Sequence, residues 1–306
     1  MWISEAPSNI ALIKYMGKLE SSGTVVEPCN ISMSYTIPYF STKVFLENCN
    51  GEDCYINKIG LNQESIDRFL RHLKNIKKIF NYNGFFSVES LNNFPHSAGI
   101  ASSSSSFAAL TKCTLTALCE ITGAPLPTPE QMSKISRMAS GASCRSFFFP
   151  WCVWDRSGAK SINLKINELY HDLILIDANP KKISSSKAHS LVKSSPLFAE
   201  RPQRAEQRFT ALVDAINCDK WNEAHHICWE EFLDMHQLFE TSSPSFKYIQ
   251  SKTTAVLEKI QQFYKSNNDG PLVTIDAGPN IHLLWKKDQN EIRNELKKEI
   301  FRITQP

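Results

Sequence analysis

Four short segments of this chain combine a fixed charge or a row of hydroxyls with small neighbours, as the handling of phosphate and carboxylate groups requires. Asp276-Ala277-Gly278-Pro279-Asn280 places a carboxylate at the end of an apolar strand, where it can cap the turn or serve as a buried base. Ser140-Gly141-Ala142-Ser143-Cys144-Arg145-Ser146 sets one arginine among small residues, where it can grip a carboxylate bidentately or form an ordinary helix-end ion pair. In Ala6 to Lys18, Lys14 and Lys18 stand four apart beside Tyr15, a spacing that also suits a surface pair around a packed aromatic. Pro95-His96-Ser97-Ala98-Gly99-Ile100-Ala101 is a glycine-containing turn feeding the serine run Ser102 to Ser106. Free N–H groups and the positive end of a helix dipole there would attract an anion, and the hydroxyls could take phosphate oxygens or a magnesium ion; a serine-rich N-cap without ligand is the alternative.

The common nucleotide loops are absent. No Gly-x-Gly occurs, and the single Gly17-Lys18 pair lacks the glycine and the Ser or Thr of a Walker-type loop, since Leu12 and Leu19 hold those positions.

The elements that must carry these segments are legible from periodicity. Met33 to Ile37 and Lys43 to Leu46 alternate as strands, with turns expected at Pro38, Asn50-Gly51 and Lys58 to Gly60. Gln63 to Phe80 has the apolar stripe of an amphipathic helix, and Phe85 to Val88 reads as a strand. A helix is expected from Ala101 to Thr122, stopped by Gly123. Another begins at Thr128-Pro129 with Gln131 completing a capping box and ends before Phe147, ahead of a strand over Cys152 to Trp154. Leu173 to Ala178 is a buried-strand candidate opening a second half. Helices follow over Ala199 to Asn217, Lys220 to Leu238 and Phe246 to Ser266, strands over Leu272 to Ile275 and Ile281 to Trp285, and a last helix over Asn290 to Phe301. Strands followed by helices, twice over, predict an α+β fold rather than a doubly wound parallel sheet.

Composition restricts the class further. The 306 residues are 42% hydrophobic and 21% charged, a globular balance with no apolar run long enough to span a bilayer. The net charge of +3 leaves no strong footprint for nucleic acid, and the basic stretch Arg71 to Lys78 reads as a solvated helix face. Nine cysteines without a Cys-x-x-Cys pair, and no basic-then-apolar N-terminal leader, predict a reducing, cytoplasmic setting.

Taken together, the four segments resemble the diphosphomevalonate decarboxylase family of the small-molecule kinase superfamily, which includes galactokinase, homoserine kinase and mevalonate kinase. The family's A-P-x-N-I-A-x-x-K-Y-W-G-K matches Ala6 to Lys18 except at Met16; its N-N-F-P-T-A-A-G-L-A-S-S matches Asn92 to Ser103 with substitutions at His96, Ser97 and Ile100. Its S-G-S-A-C-R-S matches Ser140 to Ser146, and its D-A-G-P-N matches Asp276 to Asn280.

This resemblance implies a two-lobed α+β fold. Residues 1–170 would form an ATP-binding lobe resembling a ribosomal-protein-S5-type β-α fold, residues 171–306 a ferredoxin-like α+β lobe, with the active-site cleft between them. It implies ATP-dependent decarboxylation of 5-diphosphomevalonate with ATP and Mg2+, no nucleic-acid or membrane partner, and a homodimer. Asp276, Lys14 and Arg145 would be catalytic. Tyr15, Met16, Gly17, Lys18, Ser140, Gly141, Ala142, Ser143, Cys144, Arg145 and Ser186 would contact substrate. Ser90, Asn92, Ala98, Gly99, Ile100, Ala101, Ser102, Ser103 and Ser104 would contact ATP, with Ser103 near the metal. The departures at Met16, at Ala142, and at Ser65 in place of a family arginine (Arg68 lies one turn on) fall on substrate recognition. A phosphomevalonate decarboxylase, a mevalonate 3-kinase and a nucleotide-binding regulatory protein are the alternatives.

Overall fold

In a computed structural model, residues 1–19, 26–94, 102–179 and 181–304 are described. Strands β1 (Trp2–Ile13), β2 (Ser32–Cys49) and β3 (Cys54–Tyr55), helix α1 (Gln63–Ile79), strand β4 (Phe85–Asn92) and helices α2 (Ser102–Thr122) and α3 (Pro129–Ser136) open the chain. A 3₁₀ helix over Gly141–Phe147 and strands β5 (Trp151–Asp155) and β6 (Gly158–Ser161) complete the first lobe. The second contains β7 (Tyr170–Ile174), α4 (Ser185–Leu191), α5 (Arg201–Asn217), α6 (Trp221–Glu240), α7 (Ser251–Asn267), the hairpin β8 (Leu272–Ile275) and β9 (Ile281–Trp285), and α8 (Asn290–Thr304).

The first sheet is built on β2, whose 18 residues pair antiparallel with β1 on one edge and with β4 and then β5 on the other. Its helical cover is apolar for a legible reason: Phe69, Leu73 and Ile76 of α1 and Phe107, Leu110 and Leu118 of α2 pack on Val44, Leu46, Phe86 and Val88. In the second lobe the antiparallel order β7-β9-β8 is covered by α6, α7 and α8 through Phe232, Val256, Ile260, Leu296 and Ile300. The lobes share a core. Ile10, Leu12, Met33 and Tyr35 of the first sheet pack with Leu212, Trp221, Leu272 and Leu284, so the end of β1 is buried on both faces and loses strand alternation.

Several expected boundaries hold, among them the Thr128–Gln131 capping box and the positive φ of 72° at Gly123. Three differ. Pro38 makes no turn; the register jumps from Pro7↔Ser41 to Ser8↔Ile37, so residues 38–40 bulge within one continuous strand. Proline has no N–H to give the ladder, and a bulge accommodates it as well as a turn does. The strand expected to run to Ala178 ends at Ile174, because the Ile176 and Asp177 N–H groups donate to Asn280 Oδ1, at 2.8 and 3.0 Å, instead of to a neighbouring strand. The helix expected from Phe246 begins at Ser251; Phe246 and Tyr248 instead pack on Leu238 and Phe239 behind Pro244. All nine cysteines are free, and no helix among the described residues is long and apolar enough to cross a membrane.

One polar cluster lies inside the second lobe. Arg201, Arg204 and Arg208 project from α5 toward Glu231 and Asp234 of α6. Arg201 pairs with Glu231 and lies 2.7 Å from Asp234 Oδ2, and Arg208 lies 2.9 Å from the same oxygen. Glu231 also accepts the Lys14 N–H at 2.8 Å, and Arg201 donates to the Lys14 carbonyl at 3.0 Å. Removing one member of a fully buried pair strands the other charge, so Arg201→Met should lower unfolding free energy by about 3–5 kcal/mol. Urea denaturation will measure this; a loss below about 1 kcal/mol would mean that Glu231 finds another cation or water.

Candidate active site

Both lobes line one cleft of about 300 Å³. Its walls include Lys14, Tyr15, Met16 and Lys18 from the chain leaving β1, Ser102, Ser103 and Ser104 from the start of α2, and Ser140, Gly141, Ala142 and Arg145 at the 3₁₀ helix. Ser186 of α4 and Asp276 of the β8–β9 corner face them. Residues 230 or more positions apart in sequence therefore meet at one place.

The centre is a salt bridge. Lys14 Nζ lies 2.6 Å from Asp276 Oδ1, with the lysine side chain 2% exposed and the aspartate 27%. Burial alone would raise the Asp276 pKa, yet Lys14 foremost, with His282 and Arg145, holds it below the ordinary carboxylate value. Lys14 is lowered by burial, against the opposing pull of Asp276, and Arg145 adds to the lowering. The carboxylate therefore stays anionic while its neighbour gives up a proton more readily than a free lysine. Among the described residues Asp276 Oδ2 has no hydrogen-bond partner, so one oxygen remains for a ligand.

Arg145 is 4% exposed, and among the described residues no carboxylate pairs with it. Its Nε donates to Asn9 Oδ1 at 3.0 Å and Nη1 to Ser32 Oγ at 3.4 Å, while Asn9 is fixed in turn by donating to Ser146 Oγ at 2.8 Å. Neutral partners orient the guanidinium without cancelling its charge, which leaves it suited to a ligand carboxylate. The 3₁₀ helix comes close to its surroundings at Gly141, where a Cβ would meet Trp154 at 2.9 Å and the Tyr15 hydroxyl at 3.2 Å. Tyr15 Oη is buried and has no partner among the described residues, and burial drives its phenol up so that it stays protonated.

At the other end of the cleft burial lowers Lys18, helped by nearby Arg68. Arg68 lines both this cleft and an adjoining cavity of about 90 Å³ that holds Ser65, Ser90, Ser102, Ser103 and Phe107. Ser104 Oγ at the start of α2 is buried and has no partner among the described residues, a hydroxyl that fits a phosphate oxygen. Among the described residues no group of three or more His, Cys, Asp or Glu side chains could hold a metal, so magnesium would come with phosphate oxygens and a hydroxyl such as Ser103.

Some expected contacts lie elsewhere. Ser143 is buried and donates to the Ser140 carbonyl at 2.6 Å, and Cys144 packs with Phe148, Cys152 and Trp154. Gly17 is off the cleft wall; its φ is +88° and a Cβ there would meet Phe198 at 2.6 Å. Asn92 accepts from the Thr42 hydroxyl at 2.7 Å. Ala98, Gly99, Ile100 and Ala101 fall outside the described residues. The sequence reading missed two titratable cleft residues, Lys181 and His189, which lie in no motif segment. It also missed the Arg201–Glu231 cluster behind Lys14, whose signal was three arginines of α5 at i, i+3 and i+7 facing acids at i and i+3 of α6.

A cleft of this kind, shared between two α+β lobes, is that of the small-molecule kinase superfamily. Residues 6–163 match the diphosphomevalonate decarboxylase-like N-terminal domain and residues 173–305 the mevalonate 5-diphosphate decarboxylase C-terminal domain, and the chain belongs to the diphosphomevalonate decarboxylase family. It is 43% identical to a mevalonate diphosphate decarboxylase from Legionella pneumophila of known structure, with a TM-score of 0.91 over 97% of this chain and 96% of that one. The mevalonate diphosphate decarboxylase from Enterococcus faecalis, a structure concerned with mevalonate diphosphate-mediated ATP binding, is 27% identical with a TM-score of 0.86 over 97% and 92%. Diphosphomevalonate decarboxylase of Schizosaccharomyces pombe is 27% identical over 94% of this chain and 79% of its own length.

The coupling of Lys14 to Asp276 has a measurable sign. Asp276 is the largest influence keeping the Lys14 proton on, so Asp276→Asn should move the Lys14 pKa further down. A ¹³C-labelled lysine spectrum followed through alkaline pH will read it. A Lys14 resonance that titrates as in the parent would mean that the pair is not coupled.

Proposed function

We propose that this chain converts (R)-5-diphosphomevalonate and ATP to isopentenyl diphosphate, ADP, phosphate and carbon dioxide. The observation that carries the reading is the meeting in one cleft of an anionic Asp276 paired to a buried Lys14 and a buried Arg145 that, among the described residues, has no carboxylate partner. Asp276 Oδ2 accepts a hydrogen bond from the tertiary 3-hydroxyl, orients it and takes up its proton as the γ-phosphoryl group arrives. Lys14 lies between that carboxylate and the transferred phosphate and reduces their repulsion. Once phosphate leaves C3, positive character there is relieved by loss of the carboxylate, which Arg145 holds in line until it departs.

The start of α2, with Ser102, Ser103 and Ser104, receives the ATP phosphates, and Ser90 in the adjoining cavity lies toward the adenine. Magnesium, when bound, neutralises phosphate charge there. A relative of known structure, 27% identical with a TM-score of 0.88, was solved with MVAPP, AMPPCP and magnesium, which supports ATP and magnesium here. Tyr15, Lys18 and Ser140 take the diphosphate end, and Arg68 beside Lys18 supplies the cation that Ser65 lacks. Met16, Gly141, Ala142 and Ser186 shape the wall around the substrate, while Gly17, Ser143 and Cys144 act from behind it. Residues 1–170 form the ATP-binding half and 171–306 the half that presents Asp276, in a homodimeric cytoplasmic enzyme.

Carbon dioxide and ADP should appear in equal amounts with the diphosphate substrate and Mg-ATP. ADP without carbon dioxide would make the enzyme a 3-kinase, and a much higher kcat/KM for the monophosphate would move the substrate assignment. Asp276→Asn should bind both substrates and keep its melting temperature but lose about 10²–10⁴ in kcat, the usual worth of a general base. Near-parental turnover by this variant would remove Asp276 from the mechanism.

A further inference from the structure

His189 on α4 lies on the cleft wall, and nothing in the four motif segments accounts for it. Its ring packs at a tilt against Tyr15 with centroids 4.4 Å apart and 36° between planes. The Gly17 N–H donates to its Nδ1 at 3.0 Å, and a backbone N–H can only donate. Nδ1 is therefore unprotonated, and the neutral ring carries its proton on Nε2. Burial foremost, then Lys18 and Arg145 nearby, pushes the His189 pKa down to about 3, which keeps the ring in that neutral tautomer at any working pH. Among the described residues Nε2 has no hydrogen-bond partner, and it is not among the sealed unpartnered atoms. A donor whose other nitrogen is fixed and whose plane is held by an aromatic is pre-set for a ligand acceptor.

We propose that His189 is a substrate-binding residue whose Nε2–H donates to a phosphate oxygen at the diphosphate end of the substrate, beside Tyr15 and Lys18. The inference rests on the decarboxylase reading and adds a recognition group to its site. A neutral donor is useful there because Lys14, Lys18, Arg68 and Arg145 already crowd the cleft with positive charge. Another cation would have to be desolvated among them, whereas imidazole adds a directed hydrogen bond without that cost. Gly17 and Tyr15, which hold the ring, are the chain neighbours of Lys18, and this favours the phosphate end over the carboxylate end.

Two substitutions separate donor from anchor, since asparagine places an acceptor near the Nδ1 position and glutamine a donor near the Nε2 position. His189→Asn keeps the bond from Gly17 and loses the donor; His189→Gln does the reverse. A hydrogen bond to a charged oxygen is worth about tenfold in binding, so His189→Asn should raise KM for the diphosphate substrate about tenfold. Inhibition by inorganic pyrophosphate should weaken by a similar factor, with kcat changed no more than a few-fold and the melting temperature little altered. His189→Gln should show the smaller KM effect. Parental KM in His189→Asn, unchanged pyrophosphate inhibition beside a raised KM, or a larger loss in His189→Gln would each overturn the proposal. Parental enzyme that releases no carbon dioxide would instead overturn the decarboxylase reading, and the parental rate is recorded in the same assay.

Discussion

The main chain of Lys14 has left the first sheet and is buried, so its N–H and C=O groups need partners that no strand supplies. Glu231 accepts from the one, and Arg201 and Asn30 donate to the other, the latter at 2.8 Å. The carboxylate and guanidinium are themselves fully buried and paired, with Asp234, Arg204 and Arg208 completing the cluster. Buried ion pairs contribute little net stability, because desolvation consumes most of the attraction; their worth lies in geometry. Here they fix where β1 ends, and with it where Lys14 points. Asp276 is located from the same helix, since His236 of α6 lies 3.2 Å from the Asp276 carbonyl oxygen.

A cleft holding Lys14, Lys18, Arg68, Arg145 and Lys181 against Asp276 has a strong excess of positive charge. Substrates that bring a diphosphate, a carboxylate and a triphosphate supply the opposite sign. Among the described residues of the cleft wall Asp276 is the one carboxylate, and it is paired with Lys14. Arg145 is the contrary case, oriented by Asn9 and Ser32 while its charge is left uncancelled. Tyr15 and His189 add polar atoms without adding charge, because burial keeps the phenol protonated and the imidazole neutral. Lys181 reaches over the corner of Asp276 and the Tyr248 ring, 5.8 Å from its centroid, and burial lowers its pKa too.

The apolar core shared by the lobes explains how so polar a cleft stays in register. Tyr35 meets Trp151 edge to face with centroids 4.8 Å apart, Leu212, Trp221 and Leu284 close against Ile10 and Leu12, and Thr274 of β8 donates to the Ala11 carbonyl at 3.0 Å. The sheet edge that carries Lys14 and the hairpin that carries Asp276 are thus parts of one packed body. Close packing of that body fixes the separation of Lys14 and Asp276.

Local chemistry made much of this legible in the residues alone. Thr128, Pro129 and Gln131 cap their helix within one turn, Gly123 stops another through its positive φ, and α1 declares its buried face by spacing. The motif segments likewise singled out Lys14, Arg145 and Asp276, which the fold brings into one cleft, because a carboxylate and fixed cations among small residues are recognisable by residue type. Pro38 and Phe246 were misjudged, since a proline's missing N–H suits a bulge as well as a turn, and an aromatic stripe packs in a loop as well as in a helix. His189 and Lys181 carried no signal of their own, and the spacing of Arg201 and Glu231 on their helices did not disclose their pairing, because a histidine's tautomer, an arginine's burial and a carboxylate's partner depend on groups far away in the chain. Sequence by itself determined which residues could perform the chemistry and where most of the longer helices and strands would form, through interactions that act within a turn or a strand. Tertiary structure alone decided which of those groups are desolvated together, and desolvation is what sets their charge.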